Sequence, residues 1–339
     1  MWANFSYAFQ AIAPILLLIA LGMFVRKIGP WEGKFYRTLN ALSFHLFLPV
    51  QLFLNVYGVE DLADFNWPVM AYLIGSVFVC CGLGILAARL FVRDPAQKGP
   101  IVQVTFRSNH AVLGLPLASA LGGAAAMAFA SLSAGLITTV FNFLAVVTLT
   151  WYSDQDHRIT GRALVKRVFR NPLIVGAMSG LALVLLRQLL ARVTGETVFF
   201  LRDSLPPVYQ VLSQLSAVAS PVMLFVLGAN LDLKAAKTLL PMLRLGVLLR
   251  LVICPALVIG AAVALREPLG LTALEVPSMV AVCASPAAVS SGVMVQEIGG
   301  DEQLANQLVV WTSVWSLLTI FLIVSALRAA GLLQVWGYE

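Results

Sequence analysis

Apolar residues fall in long unbroken blocks along this chain, not in strand-like alternation. Ten blocks stand out, at roughly 9–25, 36–57, 67–91, 101–121, 125–150, 171–190, 207–231, 240–264, 276–297 and 304–327. A helix crosses the hydrocarbon core of a bilayer with about 20 mostly apolar residues, so the pattern predicts an all-α polytopic membrane protein with ten transmembrane helices. The blocks use most of the 339 residues, which leaves short connections and no sizeable soluble domain. Composition agrees: 60% of residues are hydrophobic and 11% charged, against about 45–50% and about 25% in soluble domains. A soluble nucleotide-dependent enzyme, a disordered regulator and a nucleic-acid-binding protein are thereby excluded.

The net charge of +6 is concentrated in the loops. If the N-terminus lies outside, the inner loops and span ends hold fifteen Lys and Arg residues and the outer ones five. That bias places both termini outside the cytoplasm. The most basic connection is 152–170, with Arg158, Arg162, Lys166, Arg167 and Arg170. It divides the chain into a first five-helix unit (1–151) and a second (171–339). The first apolar block is preceded by no basic segment and no evident small-residue cleavage site. It therefore reads as a retained span and not as a signal peptide.

Weak self-similarity relates the two units. Pro14 through Gly22 overlays Pro172 through Gly180 at an offset of 158. Pro49-Val-Gln-Leu-Phe-Leu54 overlays Pro221-Val-Met-Leu-Phe-Val226 at an offset of 172. The matches keep order and pair span 1 with span 6 and span 2 with span 7. Five is odd, so the units have opposite topology, and inverted repeats are a signature of secondary transporters.

Two spans at corresponding places carry helix breakers near mid-membrane. The fourth reads Phe106-Arg-Ser-Asn-His-Ala-Val-Leu-Gly-Leu-Pro116 and the ninth Cys283-Ala-Ser-Pro-Ala-Ala-Val-Ser-Ser-Gly292. Proline removes a backbone donor and clashes with the preceding turn. Within a bilayer the freed groups must find protein or a wet cavity. A half-helix N-terminus presents bare N–H groups and partial positive charge, which suits a carboxylate. Candidate substrate contacts are Ser108, Asn109 and Pro116 at the first break and Ser285, Pro286, Ser290 and Ser291 at the second. Plain packing kinks and interhelical hydrogen bonds are the alternative.

Charges at membrane depth are costly, about 2.5–3.5 kcal/mol at a helix centre. Arg107 and Arg250 are the two arginines in that position. Arg107 either snorkels to the interface or attracts an anion, and the deeper Arg250 needs a partner or an anion. Glu297, near the inner end of span 9, is a coupling candidate, as are His45 and His110, whose side chains ordinarily titrate near neutral pH. A hydrogen-bonded core role is the alternative for both histidines. Cys80, Cys81, Cys254 and Cys283 lie within apolar blocks at spacings that fit neither a zinc site nor a disulfide framework. They read as packing residues, and no metal or cofactor is expected. Gly82-Leu-Gly-Ile-Leu-Ala87 matches a relaxed dinucleotide fingerprint but sits inside a span. Gly176-Ala-Met-Ser-Gly180 marks close helix packing.

Taken together, these residues resemble the auxin efflux carrier family. The resemblance rests on Phe106-Arg-Ser-Asn109 followed by Gly114-Leu-Pro116, on Asn171-Pro172-Leu-Ile, on Ser220-Pro221-Val-Met-Leu-Phe-Val-Leu-Gly228, on Ser285-Pro286 through Asp301, and on Trp311-Thr-Ser to Leu-Thr319. It implies two inverted five-helix repeats. Spans 1, 2, 6 and 7 would form a scaffold, and spans 3–5 and 8–10 a transport unit. The broken spans 4 and 9 would cross beside the substrate. It also implies an elevator-like movement and a homodimer through the scaffold. Plant members move auxin, and bacterial members are associated with malate, malonate and related acids. The long loop of some plant auxin carriers is missing at 152–170, which points to a bacterial-type carrier in an inner membrane. Asn109 and Pro116 match the first crossover element, and Ser285 and Pro286 the second. The family often has Gly where this chain has Ser108.

The expected function is secondary transport of a small organic anion, malate- or malonate-like or auxin-like, by alternating access, coupled to a proton or to sodium. A sodium-coupled symporter of the bile-acid-symporter type is the nearest rival. Its cation ligands would come from Asn142, Gln296 and Glu297. A membrane sensor that binds without moving its ligand is a second rival, and its weakness is the lack of an output domain. No nucleophile–base pair supports an enzyme.

Overall fold

The computed structural model describes residues 2–59, 66–153, 161–194, 200–271 and 275–333. Among these residues the fold is all-helical, with no strand beyond one isolated bridge. The first helix, α1 (Trp2–Ile28), carries Pro14 inside it. Next, α2 (Gly33–Tyr57) has a π-helical turn at Ser43–Phe47 just before Pro49. Then come α3 (Trp67–Phe91), α4 (Pro95–Phe106) and, after a π-helical turn at His110–Gly114, the long α5 (Leu115–Ser153). The second half holds α6 (Gly161–Phe169), α7 (Pro172–Thr194), α8 (Pro206–Asn230) and α9 (Leu240–Ala264). It closes with α10 (Glu275–Ala284), α11 (Ser290–Ile298) and α12 (Glu302–Ala329).

Seven of the described helical stretches are long and apolar enough to cross a membrane. They are α2, α3, Val112–Ser153, α7, α8, α9 and α12. With large apolar side chains such as Leu17, Phe78, Leu90, Leu189 and Leu322 on the outer surface, the chain is an integral membrane protein. The expected blocks at 101–121 and 276–297 are each split into shorter pieces, α4 and the turn after it, and α10 and α11. The expected boundary near 122–124 is a kink within α5, where Gly122 has φ −145° and Gly123 φ +68°. Only glycine adopts the latter conformation without strain.

The basic connection differs from expectation. It is not all loop, because α6 occupies 161–169. Val168 of α6 is buried while Val165 and Phe169 are exposed, with Arg162, Lys166 and Arg167 beside them. The period is helical, but the segment was too short and too basic to register as an apolar block. Arg158 lies outside the described residues.

Two close backbone approaches fix how the first and second halves interlock. Gly22 of α1 lies against the Phe225 carbonyl of α8, and Gly180 of α7 lies against the Phe53 carbonyl of α2. Gly22 and Gly180 are the glycines related by the offset of 158, and Phe53 and Phe225 are related by the offset of 172. The two contacts thus join α1 to α8 and α7 to α2 through residues that the two sequence offsets relate. A Cβ at either glycine would meet main-chain atoms that cannot step aside. Small residues let membrane helices approach in this way.

Gly180→Val is expected to cost about 1–3 kcal/mol, the range for overpacking a close contact. Gly82→Ala, where an added Cβ meets nothing within 4 Å, is expected to cost nothing measurable. Melting temperatures in detergent check the pair, and equal melting temperatures would show that the approach is not tight.

Candidate functional site

The two interruptions meet in the middle of the protein. Helix α4 stops at Phe106, and Arg107 takes an extended conformation with φ −90° and ψ 110°. Ser108 forms an antiparallel bridge with Ala287. The Asn109 N–H donates to the Pro286 carbonyl at 2.8 Å, and the Ala288 N–H donates to the Arg107 carbonyl at 3.3 Å. A third donor is satisfied from the last helix, since the Ala287 N–H donates to Thr312 Oγ1 at 3.1 Å. The N–H groups of Asn109, Ala287 and Ala288 are therefore satisfied by the other break or by α12. This is the condition for irregular backbone at membrane depth.

The crossing has two electrically distinct sides. On one, the C-terminal ends of α4 and α10 converge on Arg250. Its Nε donates to the Ser285 carbonyl at 2.9 Å, and Nη2 donates to the carbonyls of Ser285, Val282 and Cys283 at 2.7, 3.0 and 3.2 Å. Nη1 reaches the Thr105 carbonyl at 3.5 Å. Helix C-termini carry partial negative charge and unpaired carbonyls, so a buried guanidinium there is compensated by dipoles. Arg250 comes from a π-helical turn, Leu249–Ile253, within α9.

On the other side, the residues that begin the second half-helices line a small cavity. Ser108, Asn109 and His110 come from the first break, and Ala288, Val289 and Ser290 from the second. Helix α5 adds Thr138, Phe141 and Asn142; α2 adds Leu48, Gln51, Leu52 and Asn55; α8 adds Ser220 and Met223. Its volume of ≈ 60 Å³ holds a few water molecules. Arg107 also lines it, although its side chain is only 2% exposed. Its Nη2 donates to Asn142 Oδ1 and to Ser290 Oγ, both at 2.7 Å, and Nη1 lies 3.5 Å from Ser291 Oγ. All three acceptors are neutral.

Several polar atoms at the cavity are buried without a protein partner: Ser108 Oγ, Asn109 Nδ2 and His110 Nε2. Buried polar groups are normally satisfied, and exceptions require a reason. The His110 ring also packs edge-on to Phe141, with centroids 5.8 Å apart. Among the described residues, no Asp or Glu lines the cavity.

The expected site residues therefore divide. Arg107, Ser108, Asn109, His110, Asn142 and Ser290 are brought together around the cavity. Ser291 stands behind Arg107, and Pro286 contributes only its carbonyl. Ser285 faces the opposite side, with its hydroxyl bonded to the Ala281 carbonyl and its own carbonyl bonded to Arg250. Arg250 lines a separate void of ≈ 10 Å³ with Cys80, Cys254 and Cys283. Pro116 lies at the start of α5, away from the cavity lining. Glu297 Oε1 accepts from Asn40 Nδ2 at 3.1 Å, tying α11 to α2. His45 is exposed on α2, with Nδ1 2.9 Å from the Ala41 carbonyl.

Sequence reasoning missed Gln51, Asn55, Thr138 and Ser220. A signal existed for the first two: Gln51 and Asn55 are polar residues four apart in an apolar span, hence on one helix face.

The model of the family described as membrane transport protein matches residues 7–324 of the chain. No curated protein matches it.

Arg250→Ala leaves buried carbonyls of both half-helices without a donor. It is expected to lower stability by roughly 3 kcal/mol or more, seen as loss of the monodisperse peak and a lower melting temperature. Asn109→Ala removes an amide nitrogen that has no protein partner, and its melting temperature is expected to stay close to that of the parent. The reverse order would show that the two sides have been assigned the wrong way round.

Proposed function

The chain belongs to the auxin efflux carrier family of membrane transport proteins, and we propose that it is a secondary carrier of small organic anions with its site at the crossing of the two broken segments. The observation that carries this reading is the chemistry of the cavity. A buried guanidinium, the unpartnered Asn109 amide and the Ser108 and Ser290 hydroxyls converge on a space with no carboxylate among the described residues of its lining. The first residues of two half-helices add the partial positive charge of helix N-termini. Such a set of donors fits the oxygens of a carboxylate, and malate- or malonate-like acids or an auxin-like acid are the substrates proposed.

In this reading the chain forms ten spans as two inverted repeats, 1–151 and 171–339, joined by the basic connection 152–170. Spans 1, 2, 6 and 7 (α1, α2, α7 and α8) are the scaffold, and the remaining spans carry the crossing. The reciprocal Gly22–Phe225 and Gly180–Phe53 approaches support the repeat, because they join equivalent residues of the two halves. The cavity lies between scaffold residues Leu48, Gln51, Asn55 and Ser220 and the crossing. Sliding the crossing along that wall would expose the anion to one side and then the other. The excess of Lys and Arg in alternate loops supports termini outside the cytoplasm, in a bacterial inner membrane. A homodimer through the scaffold and coupling to a proton or to sodium belong to the same proposal.

Counterflow of labelled malate, malonate and indole-3-acetate in proteoliposomes tests the proposal without assuming a driving force. At least one acid is expected to accumulate transiently, and Asn109→Ala is expected to slow that accumulation at least tenfold, the scale of losing one well-placed polar contact. Failure of the whole panel, or full activity in a folded Asn109→Ala variant, would contradict it.

A further inference from the structure

We propose that Arg107 is a fixed positive charge that travels with the site and makes the protein an anion exchanger: the loaded site re-orients quickly and the empty site slowly. The inference rests on the carrier reading above and adds to it the charge of the moving site and the requirement for a substrate on both sides.

The two deep arginines set up the contrast. Arg250 sits among carbonyls at the C-terminal ends of two half-helices, so its charge has a permanent dipolar counterpart. Arg107 has no such set of carbonyls. Its guanidinium is bonded to the Asn142 amide oxygen and to the hydroxyls of Ser290 and Ser291, the first two residues of α11, where a helix N-terminus carries partial charge of the same sign. Among the described residues the ion pair present is Arg202–Asp203, at 3.4 Å on the exposed surface. The other titratable group at the cavity is His110, which supplies no negative charge.

Among the described residues, a guanidinium in that position has no carboxylate partner. A buried charge whose partner is removed is strongly unfavourable, whereas a neutralised pair is tolerated. The wall past which the site must move is apolar in part: Leu48, Leu52 and Met223 line the cavity from α2 and α8 and are each no more than 3% exposed. Driving an uncompensated charge past these side chains raises the barrier for the empty site. One bound carboxylate offsets the charge and also supplies acceptors for Asn109 Nδ2 and Ser108 Oγ, which the empty site leaves unpartnered. Loading therefore lowers the barrier to re-orientation, which is the property that separates an exchanger from a carrier of net flux.

The test uses the full chain in proteoliposomes with labelled malate outside. Vesicles contain either unlabelled malate or osmotically matched potassium chloride, and valinomycin with potassium on both sides holds the voltage at zero, so that charge build-up does not limit net entry. Initial entry is expected to be at least tenfold faster into malate-loaded vesicles, a barrier difference of about 1.4 kcal/mol. Equal, substrate-dependent rates in both would overturn the exchange inference and leave the carrier reading standing. No malate-dependent entry in either would overturn both. The origin of the effect is tested at saturating malate with Arg107→Gln, in which the ratio is expected to fall toward one, and Arg107→Lys, which keeps the charge and is expected to retain it. A tenfold ratio surviving in Arg107→Gln would overturn the role assigned to Arg107.

Discussion

Breaking a helix in the middle of a membrane is permitted only if its freed backbone groups are satisfied, and here two broken segments satisfy each other. The Asn109–Pro286 and Ala288–Arg107 main-chain bonds, at 2.8 and 3.3 Å, hold the breaks together. Arg250 gathers the carbonyls that remain. Everything else of functional interest follows from this arrangement. Four half-helix ends are brought to one place, the two negative ones point at a built-in cation, and the two positive ones are left beside a cavity. Those two ends favour negative charge beside the cavity, which is the ground on which an anion site is proposed there.

The choice of side chains sharpens it. Asn109 begins the second half of its segment, and its carbonyl accepts the first N–H groups of the π-helical turn, from Val112 and Leu113. Its side-chain amide takes no part in that capping, and the amide nitrogen has no protein partner. Ser290 begins α11 and accepts from Arg107. Asn142 holds Arg107 from α5, and its own amide nitrogen is fixed to the Thr138 carbonyl at 2.7 Å, so its oxygen must face the guanidinium. The cavity walls from α2 and α8 are held by a different constraint, the close approaches at Gly22 and Gly180. The cavity therefore lies between α2 and α8 on one side and the two breaks with α5 on the other.

Much of this was legible in the sequence because membrane helices advertise themselves by hydropathy and their breaks by proline. Trp67–Phe91 lies where the apolar block at 67–91 placed it. The residues at the two close helix approaches, Gly22 with Phe225 and Gly180 with Phe53, are ones that the offsets of 158 and 172 relate. What hydropathy does not encode is the direction a side chain faces. The sequence separates Arg107 from Arg250 only by depth, yet one faces a cavity and the other a ring of carbonyls, because they approach opposite ends of half-helices. Ser285 adjoins a break as closely as Ser290 does, but it ends one half-helix and Ser290 begins the next. Gln51, Asn55 and Ser220 escaped notice because they are far from the breaks in sequence and meet them only through the packing of α2 and α8. Helix α6 was missed because a nine-residue basic segment looks like a loop when only apolar runs are sought.

The most direct test of the central claim, that the crossing binds an organic anion, is a density map of the protein in lipid nanodiscs at saturating malate. Carboxylate density is expected in the cavity, within hydrogen-bonding distance of Arg107 and Asn109, with the cavity enlarged beyond its ≈ 60 Å³. Malate density elsewhere, for instance in the apolar groove formed by Trp311, Trp315 and Phe321 on α12, with an unchanged crossing, would contradict it.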